Sequence, residues 1–292
     1  MPKCHCLKTP VIYQMKIKSI RTHLAAFMTM TACCAIANTD PAKPILDYGG
    51  NMKNDVLNDD GLDSNHGRAS DVAVSQDGAS RPVLVFNGKT SKVETSRSVS
   101  GRSMEILFQP EKGSANQVVF HAAKKWSGVW ANQRTLVGID ADGYVTVVVG
   151  FGTDSGQEPA VLKLKTPVAF GTWNHLLVSM EENLLAVHMN GKTTESVALS
   201  LPPCDADIFT IGCIHDNYIA SLIDRSKNGN AAASEELAGI LKGLGISPAD
   251  EDSASYSGFY IGKIARLRVW DQPLSDAAVG QLSSDFSQWR EE

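Results

Sequence analysis

The stretch that decides the fold is Trp173-Asn174-His175-Leu176-Leu177-Val178-Ser179-Met180-Glu181-Glu182-Asn183-Leu184-Leu185-Ala186-Val187-His188-Met189-Asn190-Gly191. Two apolar runs of strand length flank the polar triplet Glu181-Glu182-Asn183, and the second run ends on Asn190-Gly191. Both central residues of a type I′ turn need positive φ, which Asn-Gly adopts at low steric cost, so the dipeptide predicts a tight hairpin into Thr193–Leu199. Within the first strand, Trp173 and His175 share one face, while Leu176, Val178 and Met180 share the other. The three segments read as an antiparallel meander.

The same rhythm continues in both directions. Upstream come Val83–Phe86, Ser91–Thr95, the alternating Met104, Ile106 and Phe108, then Val118–Phe120, Leu136–Ile139, Tyr144–Val149 and Val161–Leu164. Asp140-Ala141-Asp142-Gly143 reads as a hairpin turn, because it lacks the downstream Glu of a calcium loop. Downstream come Ile208–Ile211 and a long closing strand, Phe259–Trp270. More than ten short strands at hairpin spacing predict an all-β sandwich or barrel. Ile45–Tyr48 reads as a first strand, and the Asp-, Asn-, Gly- and Ser-rich residues 51–80 as a long loop. Two helices interrupt the pattern. One, near Ser234–Leu244, places Leu237, Ile240, Leu241 and Leu244 on one face and lies in an insertion at 214–257. The other follows Pro273, with Ser275 as N-cap and Val279, Leu282 and Phe286 facing the sandwich.

The start of the chain reads differently. A basic Met15–Arg21, an apolar Leu24–Cys34 and Ala35-Ile36-Ala37 are the three parts of a secretory signal, predicting cleavage after Ala37. The apolar run is too short to span a bilayer. Cys33 as a lipid-attachment cysteine is the alternative, with Met30-Thr31-Ala32 in front of it. Residues 38–44 then form a short linker and 45–292 the domain, which is expected to be secreted, periplasmic or held at the cell surface. Residues 1–37 hold five Lys/Arg and no acid; removing five from 27 leaves 22 basic residues against 32 acidic ones, a net charge of −10. Such a surface repels phosphate backbones and argues against nucleic acid as partner. Of six cysteines, Cys204 and Cys213 remain after cleavage. In an oxidising compartment they either form one bridge or stay as two small buried thiols.

The order of motifs resembles bacterial laminin-G-like domains of the concanavalin A-like lectin/glucanase superfamily. Asp63-Ser64-Asn65-His66-Gly67, Val85-Phe86-Asn87-Gly88-Lys89 and Lys92-Val93 resemble their opening. Trp173–Val178 and Leu185–Gly191 resemble their central strands, and Ile211-Gly212, Gly262–Trp270 and Pro273-Leu274-Ser275 their close. The resemblance implies a two-sheet antiparallel jelly roll with a helical insertion and a C-terminal helix. It also implies a glycan or an extracellular protein as partner, and in many relatives a calcium ion. Asp47, Asp63 and Asn65 carry the hard oxygen donors that Ca2+ prefers. Relatives often carry acids just after the Ile of the closing strand, where this chain has Ala265 and Leu267 between Arg266 and Arg268.

Glycosidases of this fold need two carboxylates at a fixed separation, often as Glu-x-Asp-x-Glu on one strand. No such spacing occurs; Glu181-Glu182 reads as a turn and Glu235-Glu236 as a helix start. A non-catalytic binding module is therefore the first reading. A hydrolase or lyase with a dispersed acid pair is the second, and a structural surface protein the third. Sugar binding needs an aromatic platform beside hydrogen-bonding groups. Trp126 and Trp130 with Asn132 supply these in one polar loop, unless both rings cap the core. His215, Asp216 and Asn217 open the insertion and supply further ligand contacts, unless they form a solvated turn.

Overall fold

The computed structural model describes residues 41–291 apart from 96, 114, 125–133, 151–157 and 200–204. Two antiparallel sheets share one hydrophobic core. The first runs in the order Thr193–Ala198, Leu184–Met189, Asn174–Met180, Ser103–Pro110, Ile261–Trp270, Pro82–Asn87 and Ala73–Gln76. The second runs Ala160–Lys163, Val145–Gly150, Arg134–Ile139, Gln117–Ala123, Ile208–Ile211, Lys92–Thr95, Gly67–Ser70, Val56–Leu57 and Met52–Lys53. Ile106, Phe108, Leu176 and Leu267 from the first sheet meet Phe120, Val147, Phe209 and Ile211 from the second in that core, all nearly inaccessible. The expected hairpin is present. Asn190 and Gly191 have φ of 54° and 66°, and the Lys192 amide donates to the Met189 carbonyl at 3.1 Å.

The closing strand Ile261–Trp270 is the centre of the first sheet. One edge pairs with Ser103–Pro110 along nearly its whole length. The other edge is divided: Ile261–Ile264 pairs with Leu84–Asn87, and Leu267–Val269 with Leu46–Tyr48. A register shift between Ile264 and Arg266 accommodates the change, as a bulge does.

Helix α3 (Asp276–Glu291), the expected C-terminal helix, covers the outer face of this sheet. Its Ala278 and Leu282 pack with Leu177, Trp270 and Leu274 in a separate apolar cluster. The face carrying His175 and Leu177 is thus closed.

Two expectations are corrected. Residues 51–80 are not a loop but supply four short strands, Met52–Lys53, Val56–Leu57, Gly67–Ser70 and Ala73–Gln76, that extend both sheets. Their Asn54-Asp55 turn takes φ of 51° and 61°, a conformation these side chains tolerate better than most. The insertion holds more than the one expected helix: α1 (Asn217–Lys227) precedes α2 (Ala231–Leu244), and a 3-10 turn spans Pro248–Ser255. Leu222, Ile223, Ala233, Leu237, Leu241 and Ala254 form a core of their own. The insertion joins the sandwich through a two-stranded stem, Ile214–His215 against Tyr256–Ser257. Gly212 and Gly258 flank that stem at φ of 88° and 64°. A Cβ on Gly212 would lie 2.5 Å from the Phe86 ring, so only glycine fits.

Candidate ligand-binding cleft

Between the insertion and the second sheet lies a cleft of about 1030 Å³. The sandwich contributes Ser70, Asp71, Lys89, Thr90 and Lys92. The opposite wall is α1. Its Tyr218, Ile219, Leu222 and Ile223 pack into the insertion core, while Ala220, Ser221, Asp224 and Arg225 line the cleft, as a 3.6-residue period requires. The stem and the 3-10 turn complete it with His215, Ser253, Ser255 and Tyr256.

At the stem a carboxylate, a cation and two rings are interlocked. Lys92 Nζ lies 2.6 Å from Glu94 Oε2 and 3.4 Å from the centroid of the Tyr256 ring. The Tyr256 hydroxyl donates to Glu94 Oε1 at 2.7 Å, and the His215 ring meets Tyr256 edge-on at 5.0 Å. Burial works against the Glu94 carboxylate, but Lys92 and the Tyr256 hydroxyl outweigh it and hold the pKa below the usual range. Burial and the neighbouring Glu94 push the Tyr256 phenol well above its usual range. Glu94 is therefore held ionised, the reverse of what a general acid needs. Behind the stem, burial lowers the pKa of His121 to about 3, helped by Arg134 and His215. His121 stays neutral, and its Nδ1 accepts the His215 amide at 3.4 Å.

Among solved structures the chain is similar to domain 4 of AbnA, a GH43 extracellular arabinanase from Geobacillus stearothermophilus seen in complex with arabinotriose. The TM-score is 0.53 at 16% identity, over 83% of this chain and 98% of that one. It is also similar to the botulinum neurotoxin type G receptor-binding domain, with a TM-score of 0.54 at 10% identity over 84% of this chain. The binding domain of botulinum neurotoxin DC, solved with rat synaptotagmin II, gives 0.52 at 10% identity over 83% of this chain. The match spans about half of each toxin domain, 52% and 51%. The likeness is one of fold, a two-sheet antiparallel β-sandwich. No protein-family model matches the sequence, and no curated relative does either.

On this sandwich the expected site residues fall in three places. His215 and Asn217 line the cleft, with His215 Nδ1 3.1 Å from Asn217 Oδ1. Asp216 between them is the N-cap of α1, its Oδ1 accepting the amides of Tyr218 at 2.9 Å and Ile219 at 3.0 Å. Trp126, Trp130 and Asn132 lie outside the described residues. Lys124, the last described residue before them, accepts from Asn217 Nδ2 through its carbonyl.

Of the three residues proposed as calcium donors, Asp47 and Asn65 have protein partners. Asp47 Oδ2 is 3.1 Å from Arg268 Nε, although burial outweighs the arginines and raises the Asp47 pKa. The buried Asn65 amide clasps the Arg97 backbone in both directions at 3.2 Å. Asp63 is exposed, with the Arg97 guanidinium at its carbonyl. Loop order comes instead from Asp59, whose carboxylate accepts the amides of Asp47, Gly61 and Asn65 at 2.7 Å each. Among the described residues no three His, Cys, Asp or Glu side chains are grouped to hold a metal. Cys213 is a buried free thiol whose pKa burial pushes up to about 12; Cys204 lies outside the described residues. No described helix is long and apolar enough to cross a membrane.

Sequence reasoning missed a second charged cluster, on the outer face of the first sheet. Glu105, 1% exposed, lies 2.9 Å from His175 Nε2, 3.4 Å from Arg268 Nη1 and 3.9 Å from Arg266 Nη1. The Phe286 ring of α3 stacks on His175 at 5.0 Å. The signal available was a glutamate between Met104 and Ile106 and a histidine followed by Leu176-Leu177.

Proposed function

We propose that the protein is an exported, non-catalytic module that binds an oligosaccharide in the cleft between the sandwich and its insertion. The observation that carries this reading is the make-up of the cleft. Hydroxyl, amide, cationic and carboxylate groups converge around a ring, the combination that recognises a sugar's hydroxyls together with its apolar face. The Glu94–Lys92–Tyr256 interlock fixes this wall before a ligand arrives, which lowers the entropy lost on binding. Domain 4 of AbnA, similar in fold over nearly its full length, is seen with arabinotriose. That supports a neutral oligosaccharide as ligand class here. Export rests on the signal-like start, with Asn38 as the first mature residue.

The test is a glycan array with purified residues 38–292, with and without calcium, repeated with Ser221→Trp, which fills the cleft from α1. The expected result is calcium-independent binding that Ser221→Trp abolishes while melting is unchanged. Binding that survives Ser221→Trp places the site elsewhere, and release of reducing sugar from a polysaccharide rejects the non-catalytic reading. N-terminal sequencing of the exported protein checks cleavage after Ala37. A lipid-modified Cys33 there would establish the anchored alternative.

A further inference from the structure

A second groove, of about 650 Å³, lies between the segment 164–173, the Asn190-Gly191 hairpin and the end of α3. Its partly exposed Trp173 is held in place from behind. The Trp289 ring meets Trp173 edge to face at 4.9 Å. Trp289 in turn stacks with Phe286 at 6.4 Å and carries the Arg81 guanidinium 4.0 Å from its centroid. Beside Trp173 the amides are ordered by the chain itself. Asn174 Nδ2 donates to the Thr172 carbonyl at 2.8 Å, Asn190 Nδ2 to Asn174 Oδ1 at 3.2 Å, and Gln109 Nε2 to the Gly171 carbonyl at 2.8 Å. A fixed tryptophan beside fixed amides is a preformed platform for a pyranose ring.

The charged residues that line this groove are Lys192, Arg290 and Glu195. Lys192 and Arg290 both line it, and neither has an ion-pair partner among the described residues. The one acid in the wall, Glu195, already accepts the Lys165 amide at 2.9 Å, with Lys165 Nζ 3.7 Å away. Two uncompensated cations beside a ring platform, on a protein of net charge −5, select a ligand with its own local negative charge.

We propose that this groove is a second binding site, separate from the insertion cleft, that takes a uronic-acid residue of an oligosaccharide. Trp173 receives the apolar face of the ring, and Lys192 and Arg290 receive its carboxylate.

The experiment is calorimetric titration of the full chain with a galacturonic-acid tetramer and with its methyl-esterified form, which keeps the sugar and removes the charge. The acid form is expected to bind at least tenfold more tightly than the ester, with affinity falling as salt is raised. Lys192→Glu and Arg290→Glu, both at exposed positions, are each expected to weaken the acid form at least tenfold without changing melting, and Ser221→Trp to leave it unchanged. Trp173→Ala is expected to abolish binding, and Trp173→Phe, which keeps a ring on Trp289, to retain part of it. Equal affinity for acid and ester, no binding of the acid, or binding indifferent to Lys192→Glu overturns the proposal. So does loss of acid binding in Ser221→Trp, which would assign it to the insertion cleft.

Discussion

Glu105 and Glu94 sit in similar company on opposite sheets and end in different states. Glu105 has His175, Arg266 and Arg268 around it and the Phe286 ring of α3 above its histidine partner. Glu94 has Lys92, the Tyr256 hydroxyl and, beyond it, the His215 ring. In both, burial opposes the carboxylate and its partners keep its pKa low. The difference is the cover: an amphipathic helix closes the first cluster, while the second stands beside an open cleft. Sealed, the set fixes a helix to a sheet. Open, it gives the cleft a preorganised wall.

The sharpest break of this comparison is Glu105→Ala. It leaves the buried His175 and the partly buried Arg266 without their carboxylate and Arg268 with Asp47 alone, and removing one partner of a buried pair costs about 3–5 kcal/mol. Denaturant unfolding should show that loss, and a near-neutral result would mean that the first cluster is not sealed.

Acid comes next. His121 has a folded pKa of about 3 against about 6.5 unfolded, so the unfolded chain takes up the proton first. Its contribution to stability is complete above about pH 6.5 and is lost as pH falls toward 3, at up to about 1.4 kcal/mol per pH unit. Glu105 adds a loss of the same sign below the ordinary glutamate range. Melting curves from pH 7 to 4 should show the decline, and His121→Gln, which accepts the His215 amide without taking a proton, should flatten it. An unchanged slope in that variant would exclude His121 as its source.

Asp216→Ala tests whether the open side is held by the insertion. Loss of the cap should cost about 1 kcal/mol, felt in α1, and should weaken cleft binding more than it lowers global melting. Smallest in stability is Glu94→Gln, about 1 kcal/mol, because the pair is partly exposed and the amide oxygen still accepts from the Tyr256 hydroxyl. It frees Lys92 from its charge partner, so its mark should fall on binding in the cleft, read on the glycan array.

Much of the sandwich was legible because its signals are local. Asn190-Gly191 sets its own turn, and Asp140 forms its own hairpin by accepting the Asp142 and Tyr144 amides. The strands within 51–80 were illegible because they are defined by distant partners: Gly67–Ser70 exists through its ladder to Lys92–Thr95, not through an apolar pattern of its own. Helix α1 was hidden for a related reason. Its apolar residues Leu222 and Ile223 are explained by the private core of the insertion, and the polar residues that flank them, Ser221 and Asp224, line the cleft. At the site, His215 and Asn217 stood out as polar residues at a strand end. Lys92, Glu94 and Tyr256 did not, since only the stem brings residues so far apart in sequence into one interlock.

The place of Ile261–Trp270 also governs when the molecule can exist. The first sheet is arranged around this strand, which pairs with segments beginning at Leu46, Pro82 and Ser103. A ribosome delivers it after all of them, at roughly 5–20 residues per second. Until then those earlier strands have no shared neighbour, and the outer face has no α3 to close it. The nascent chain therefore cannot complete this sheet until the closing strand has been made, although the strands that need it are finished far earlier.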